Sequence, residues 1–404
     1  MTISGERIYH LTKFNRASRP KFGDYLASYT VRTRVSAPLR NQQDVAVRDL
    51  IGGAVRKSRN PTIVDVAKRA GVSVGTVSRV LNGVANCAPV LRERVQRAIR
   101  ELDYVPNHAA RSLKRRSTEQ IELVVPDIAN PVYVAMAKSV QQVARERGYR
   151  LSLISTDGNP LEESLAVKNL ERQHVDGLVI CSIRVTPGFV EQVTASRHKV
   201  CVIGKLPPRA EVDSVHVDSV SGAALAVKHL AEGGRKTVAL VNGDAETVPA
   251  EARFQGYRQG LMECGLVHDA SLGVHTTFTM HGGYSAAAPL LAAHPEIDAI
   301  FCANDLIALG VMRRLRELGR RVPEDVAVVG VDNIDHGKVS SPTLTSVSLL
   351  AGERGRLATE LLTERLASPE LEPRSVVVTP RLIVRESSTD YIVGARPEPL
   401  YVSF

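Results

Sequence analysis

Between Thr62 and Asn107 the apolar residues recur three times with the period of a helix. In "TIVDVAKRA", Ile63, Val66, Ala67 and Ala70 fall at i, i+3, i+4 and i+7, one face of a first helix. Thr62 with Asp65 three residues on has the form of a capping box, and Gly71 is free to take the left-handed conformation that ends a helix. The next stretch, "GVSVGTVSRVLNG", admits two readings. Its first five residues fit the G-x-S-x-G nucleophile elbow of α/β-hydrolases, with Ser73 as nucleophile. They also fit a tight turn in which Ser73 caps a second helix, with Val77, Val80 and Leu81 facing inward and Asn82-Gly83 stopping it. An elbow needs a buried strand before it, whereas the segment before Gly71 is periodic as a helix, so Ser73 is read as a cap. In "APVLRERVQRAIRELDYVPN", Leu91, Val95, Ala98, Ile99 and Leu102 form the stripe of a third helix, with Arg92, Arg94, Arg97 and Arg100 pointing elsewhere. Two short helices around a glycine-containing turn, closed by a third, make a helix-turn-helix domain over residues 61–106.

Beyond residue 119 the pattern changes to short apolar runs alternating with amphipathic segments. "IELVVPD", "YRLSLIST", "VDGLVICSI", "VCVIGK", "TVALVNG", "DAIFCAND", "VAVVGVD" and a last strand in "RLIVRESS" are separated by helical stretches such as "AVKNLERQ" and "LIALGVMRRLRELG". This is the alternation of an α/β fold with parallel, doubly wound sheets covered by helices. The elements outnumber one such sheet, so residues 119–390 are expected to form two lobes, with a ligand at the strand carboxyl ends between them.

Residues 1–60 show no steady period. "SYTVRTRV" alternates like a strand without a visible partner, and Gly52-Gly53 interrupts "DVAVRDLIGGAVRK". The segment reads as a mobile basic arm adding phosphate affinity, as a transit peptide, or as a misassigned start if translation begins at the codon of Val55. Charge sharpens the division. The net +9 is uneven: residues 1–60 hold twelve Lys and Arg against four Asp and Glu, residues 61–118 eleven against four, and the remainder carries −6. A basic front that coincides with a helix-turn-helix points to DNA.

Hydrophobic content of 44% and charged content of 24% are those of a globular protein. No apolar run approaches the roughly 20 residues of a membrane helix, and the first residues lack the apolar core of a signal peptide, so a cytoplasmic protein without membrane contact is expected. Five widely spaced cysteines without a C-x-x-C pair read as reduced thiols, and no metal site is expected. No phosphate-binding loop, dinucleotide fingerprint or H-E-x-x-H is present, and the eleven histidines lack metal spacing. No catalytic residue and no cofactor are expected.

The second helix would present Val74, Gly75 and Arg79 to the major groove, where Arg79 can offer two parallel donors to a guanine edge. Gly75 has no side chain, so reading there must be weak or by shape. Thr62, Ser73, Thr76, Ser78 and Asn82 complete the expected contacts of this domain. In "NHAARSLKRRST", residues 107–118, Asn107 to Lys114 is a helix-compatible segment too short to be stable alone. Its basic cluster of Arg111, Lys114, Arg115 and Arg116 nominates DNA phosphates, and the apolar Leu113 among them has the character of a wedge between base steps in the minor groove. Asn107, Ala110, Leu113 and Lys114 are the expected hinge contacts.

"TIVDVAKRAGVSVGTVSRVLNG", "RERVQRAIRELDYVPN" and "ARSLK" resemble the headpiece and hinge of the lactose-repressor/galactose-repressor family of bacterial transcription regulators. The likeness runs on through "LVVPDIANPVY", "ANDLIALGVMRRLRELG" and "DVAVVGVDN", from about residue 61 to residue 390. It implies a homodimer on palindromic double-stranded DNA and a periplasmic-binding-protein-like body that binds a small molecule, a carbohydrate above all. It further implies crossover segments that make both lobes discontinuous. By the same likeness Asp127 and Tyr133 would line the first lobe of the effector cleft, and Arg253, Phe278, Asn304 and Asp332 the second. The alternative for Asn304 and Asp332 is a purely structural cap. Three departures mark this cleft: Val132 replaces the usual aromatic after Asn-Pro, Gly204 replaces a carboxylate, and Glu122 stands where glycine is usual. A purine or another metabolite therefore stays open as effector. The tail, residues 391–404, has no leucine heptads, which implies a dimer and not a tetramer. The rival classes are a solute-binding component of a transport system and an enzyme using the same cleft.

Overall fold

The computed structural model describes residues 61–81, 87–105, 117–172 and 174–389. The extension 1–60, Asn82, the hinge residues Asn107, Ala110, Leu113 and Lys114, and the tail 391–404 lie outside the described residues. The chain divides into two units after Val105.

In the first unit, helices α1 (Ile63–Ala70), α2 (Val74–Leu81) and α3 (Pro89–Glu101) form as the periodicity requires. The capping box is complete: the Asp65 N–H donates to Thr62 Oγ1 at 3.4 Å, and the Asp65 carboxylate accepts from the Thr62 N–H at 2.8 Å. Gly71 ends α1 at φ 63° and ψ 42°. Val66, Ala67, Ala70, Val77, Val95 and Ala98 are the buried core, with Ile63, Val80, Leu81, Ile99 and Leu102 packed against it. Arg94 corrects the expectation that all four α3 arginines point away, because its guanidinium donates to the Gly71 carbonyl at 3.3 Å and braces the turn.

The second unit opens with β1 (Gln120–Val125), α4 (Pro131–Glu146), β2 (Arg150–Ser155), α5 (Pro160–Glu171), β3 (Gly177–Cys181), α6 (Pro187–Ala195), β4 (Val200–Ile203) and β5 (Asp213–Val217). A second series follows: α7 (Ser219–Glu232), β6 (Val238–Asn242), α8 (Val248–Glu263), β7 (Gly273–His275), α9 (Met280–Ala293), β8 (Ala299–Cys302), α10 (Asp305–Glu317), β9 (Ala327–Val331), α11 (Asp335–Lys338) and β10 (Thr345–Ser348). The chain then returns to the first lobe as α12 (Ala351–Ala367) and β11 (Ser375–Val378), and ends in the second as β12 (Arg381–Ile383).

Two six-stranded sheets result, ordered β11-β5-β4-β3-β1-β2 and β12-β10-β9-β8-β6-β7. Helices cover both faces of each, which is why the central strands read as unbroken apolar runs such as "LVV" and "AVV". Three crossovers, after β5, β10 and β11, make both lobes discontinuous. The expectation of wholly parallel sheets needs one correction: β12 runs antiparallel to β10. Four strands, β5, β7, β10 and β11, were not among the expected runs.

Candidate effector cleft and DNA-reading helix

On α2 the exposed positions are Val74, Gly75 and Arg79, with Thr76 and Ser78 half-buried. Ser73 Oγ accepts from the Thr76 N–H at 3.1 Å and lies 3.0 Å from the Thr76 hydroxyl. It is the helix cap, and the element before it is a helix, so the elbow geometry is absent.

In the two-lobed unit the strand carboxyl ends surround a cleft of about 740 Å³. All six residues expected there line it: Asp127 and Tyr133 from the first lobe, Arg253, Phe278, Asn304 and Asp332 from the second. Asp127 follows β1 and closes its own turn, accepting from the Ala129 N–H at 2.8 Å. Asn130 caps α4, which puts Tyr133 in that helix's first turn, facing Asp332, Arg253 and Arg354. Burial pushes the Tyr133 hydroxyl well up, so it stays a neutral donor and acceptor.

Arg253 projects from α8 with 7% of its surface exposed. Its guanidinium stands 3.9 Å from Asp332 Oδ1 and 5.7 Å from the centre of the Phe278 ring, and its Nε is buried without a partner. The ring is admitted by Gly243, where any Cβ would overlap it. Asp332 follows β9 at φ 108°; burial pushes its carboxyl up against the opposing pull of Arg253 and Arg354. Asn304 fills the structural role weighed for it. Its Oδ1 caps α10 through the Ile307 N–H at 2.8 Å, and its amide donates to the Phe278 carbonyl at 3.3 Å. Behind it Asp305 accepts from the Ser346 hydroxyl and the Ile334 N–H, and burial pushes its carboxyl up to about 8.

The three departures separate. Val132 and Gly204 line the cleft. Glu122 instead lies buried within β1, its Oε1 accepting from Ser152 at 3.3 Å, its Oε2 unpartnered, and its carboxyl pushed up by burial. Sequence reasoning missed Arg354, in the first turn of α12, and the residues that join the lobes. The Arg184 guanidinium binds the Gly158 carbonyl at 2.9 Å and also pairs with Asp244 of the second lobe. The Val248 N–H donates across the lobes to the Ile183 carbonyl at 2.9 Å. These contacts are non-local and leave no spacing signature.

Among the described residues no cluster of His, Cys, Asp and Glu could hold a metal ion, and no helix is long and apolar enough to cross a membrane.

Residues 62–107 match the bacterial regulatory proteins, lacI family, and residues 227–388 match a periplasmic binding protein-like domain. The HTH-type transcriptional regulator CelR of Thermobifida fusca is 37% identical over 342 residues, 82% of this chain and 100% of that protein. The chain belongs to the lacI family of bacterial regulatory proteins. Its function is that of the family, DNA-binding transcription regulation. Among solved structures of relatives, a CelR–cellobiose complex matches this LacI-family chain with a TM-score of 0.62 at 35% identity, covering 81% of this chain and 99% of that one. The lac repressor dimer bound to operator and the anti-inducer ONPF matches with a TM-score of 0.73 at 24% identity, over 82% of this chain and 100% of that one, a likeness of fold.

Proposed function

We propose that this regulator is a repressor that binds a palindromic operator as a homodimer and changes its DNA affinity when a sugar occupies the cleft. The observation that carries the reading is the convergence of six residues, from strand ends and the helices that follow them in two lobes, on one cleft. Its volume falls in the ~300–1,000 Å³ range of small-molecule sites. Asp332 and Arg253 supply an acceptor and donors for vicinal hydroxyls, and Phe278 offers an aromatic surface for an apolar sugar face. The relative solved with cellobiose supports a saccharide.

On the DNA side, Val74, Gly75 and Arg79 read base edges, while Thr62, Ser73, Thr76, Ser78 and Asn82 meet the backbone nearby. Asn107, Ala110, Leu113 and Lys114 form the hinge, with Leu113 wedged in the minor groove. A ligand touching both lobes favours one lobe arrangement over the other. Strand β3 is suited to carry that change. At its start, Asp176 accepts from the N–H groups of Thr118 at 2.7 Å and Glu119 at 2.9 Å, just past the hinge. Just past its end lie Ile183 and Arg184, which meet the second lobe. Coupling of ~1–3 kcal/mol corresponds to roughly 5- to 150-fold in operator affinity. The cleft binds without turnover, and the protein works in the cytoplasm, where its DNA is.

The test is selection of DNA from a random pool by the full chain, followed by rebinding of the selected sequence with a panel of sugars and nucleobases. A palindromic selection and a shift of about fivefold or more by a sugar support the reading. A response to a nucleobase alone, or turnover of a sugar without sequence-selective DNA binding, overturns it.

A further inference from the structure

The floor of the cleft carries more positive than negative charge. Arg253 and Arg354 face a single carboxyl group, Asp332, which burial pushes up. The nearby groups do not redress this. Asp305, with its carboxyl pushed up to about 8, keeps its proton at neutral pH, and burial keeps the Tyr133 hydroxyl and the Cys181 thiol neutral. Nor are the two guanidinium groups satisfied. Both Nε atoms are buried without a hydrogen-bond partner, and the approach of Arg253 to Asp332, 3.9 Å, is too long for a hydrogen bond. Buried charges are ordinarily paired and fully hydrogen-bonded, because an unpaired one forfeits its hydration.

The carboxylates at the rim are a different population. The half-buried Asp127 accepts from the Ala129 N–H at 2.8 Å, and the exposed Asp218 caps α7 through the Ser221 N–H at 3.0 Å. Glu246 is exposed, and the exposed Glu251 takes the Gln255 amide at 2.7 Å. Water and salt screen such charges over about 8–10 Å.

We propose that Arg354 is an effector contact and that the effector carries an anionic group, a carboxylate or a phosphate, seated between Arg354 and Arg253. This rests on the reading of the cleft as a sugar site and narrows it to acidic sugar derivatives. The guanidinium fork matches both anions in two-point geometry, and each has a donor to spare for them. Position adds a second consequence. Arg253 stands on α8 of the second lobe, whereas Arg354 follows the β10 crossover on α12, whose Ala351, Ala358 and Leu362 are embedded in the core of the first lobe. An anion held by both arginines therefore ties one lobe to the other, which a neutral hydroxyl does more weakly.

Calorimetric titration of the full chain with matched pairs tests this: cellobiose against cellobionate, and glucose against glucuronate and glucose 6-phosphate. At least one acidic member is expected to bind about tenfold or more tighter than its neutral parent, the glucuronate and phosphate arms separating the two anions. Arg354→Met is expected to abolish the advantage and Arg354→Lys to keep part of it, with thermal melting verifying that both variants fold. Equal or tighter binding of the neutral member in every pair, or a full acidic advantage retained in Arg354→Met, overturns the proposal while leaving a sugar effector intact. Binding of a nucleobase and of no saccharide overturns the sugar reading together with it.

Discussion

The two lobes repeat one strand order, yet they secure their last strand by different chemistry. In the first lobe β11 joins the sheet edge beside β5, whose first residue, Asp213, is fully buried. Arg365 donates to its carboxylate at 3.0 and 2.9 Å, and the Arg374 N–H at 2.8 Å. In the second lobe the same place in the order belongs to β10, whose first residue is Thr345. Its hydroxyl bonds the Arg385 carbonyl at 2.9 Å and the Ser388 hydroxyl at 2.7 Å, while Ser387 accepts the Thr345 N–H at 2.9 Å. Strand direction differs as well, for a topological reason. The parallel strands of both lobes end at the cleft, so a chain leaving β11 there crosses directly and must enter β12 from the cleft end, against the direction of β10. The repeated order thus fixes where a fastening is needed and leaves its chemistry free.

Asp213→Ala should have the largest effect, about 3–5 kcal/mol of destabilisation, because Arg365 is left buried and unpaired. Circular dichroism in urea measures it, the chain having no tryptophan. Hydrogen exchange should quicken at residues 375–378 before 381–388; simultaneous loss at both would show that the lobes are fastened as one unit.

Next comes Glu163→Gln. Glu163 on α5 is 1% exposed, accepts from the Ser182 hydroxyl at 2.8 Å, and has its carboxyl pushed up to about 7 by burial. The folded protein therefore holds a proton that the unfolded chain releases near pH 4.5. That stabilisation is full below this value and is lost as pH rises to about 7. At pH 8 the variant should be more stable than the parent by roughly 2–3 kcal/mol, with little difference near pH 5. A difference independent of pH would remove this charge from the contrast between the lobes.

Thr345→Val should cost about 1–3 kcal/mol, since it removes the hydroxyl to which the Arg385 N–H donates at 2.7 Å. Exchange should quicken at 381–388 and not at 375–378, the reverse of the Asp213 result. Ser73→Ala, outside both lobes, should cost about 1 kcal/mol through the lost helix cap. It should lower the headpiece transition and leave the exchange of both lobes unchanged.

The headpiece was legible almost residue by residue because its signals are local. The Thr62–Asp65 box, the left-handed Gly71 and the Ser73 cap each act within four residues of where they are read. In the second unit most central strands were legible as apolar runs, whereas the inner strands "DSVHV" and "TSVS" are broken by polar residues, "SVVV" is a half-exposed edge strand and "GVH" is only three residues long, so none carries the apolar signature. Six cleft residues were found through family likeness, at strand ends and on the helices that follow them. Arg354 was not, because only the β10 crossover brings the first turn of α12 to the cleft. Nor could the direction of β12 be read from its residues, since it follows from where the preceding strand ends.

The return of the chain to its first lobe also sets an order of events during synthesis. Strand β5 leaves the ribosome well before α12 and β11, the helix and strand that complete its sheet. The second lobe has meanwhile received five of its six strands. At roughly 5–20 residues per second, β5 waits on the order of ten seconds with Asp213 unpaired and one edge bare. The lobe begun first is finished almost last, and in that interval its open edge is a template for pairing with other strands.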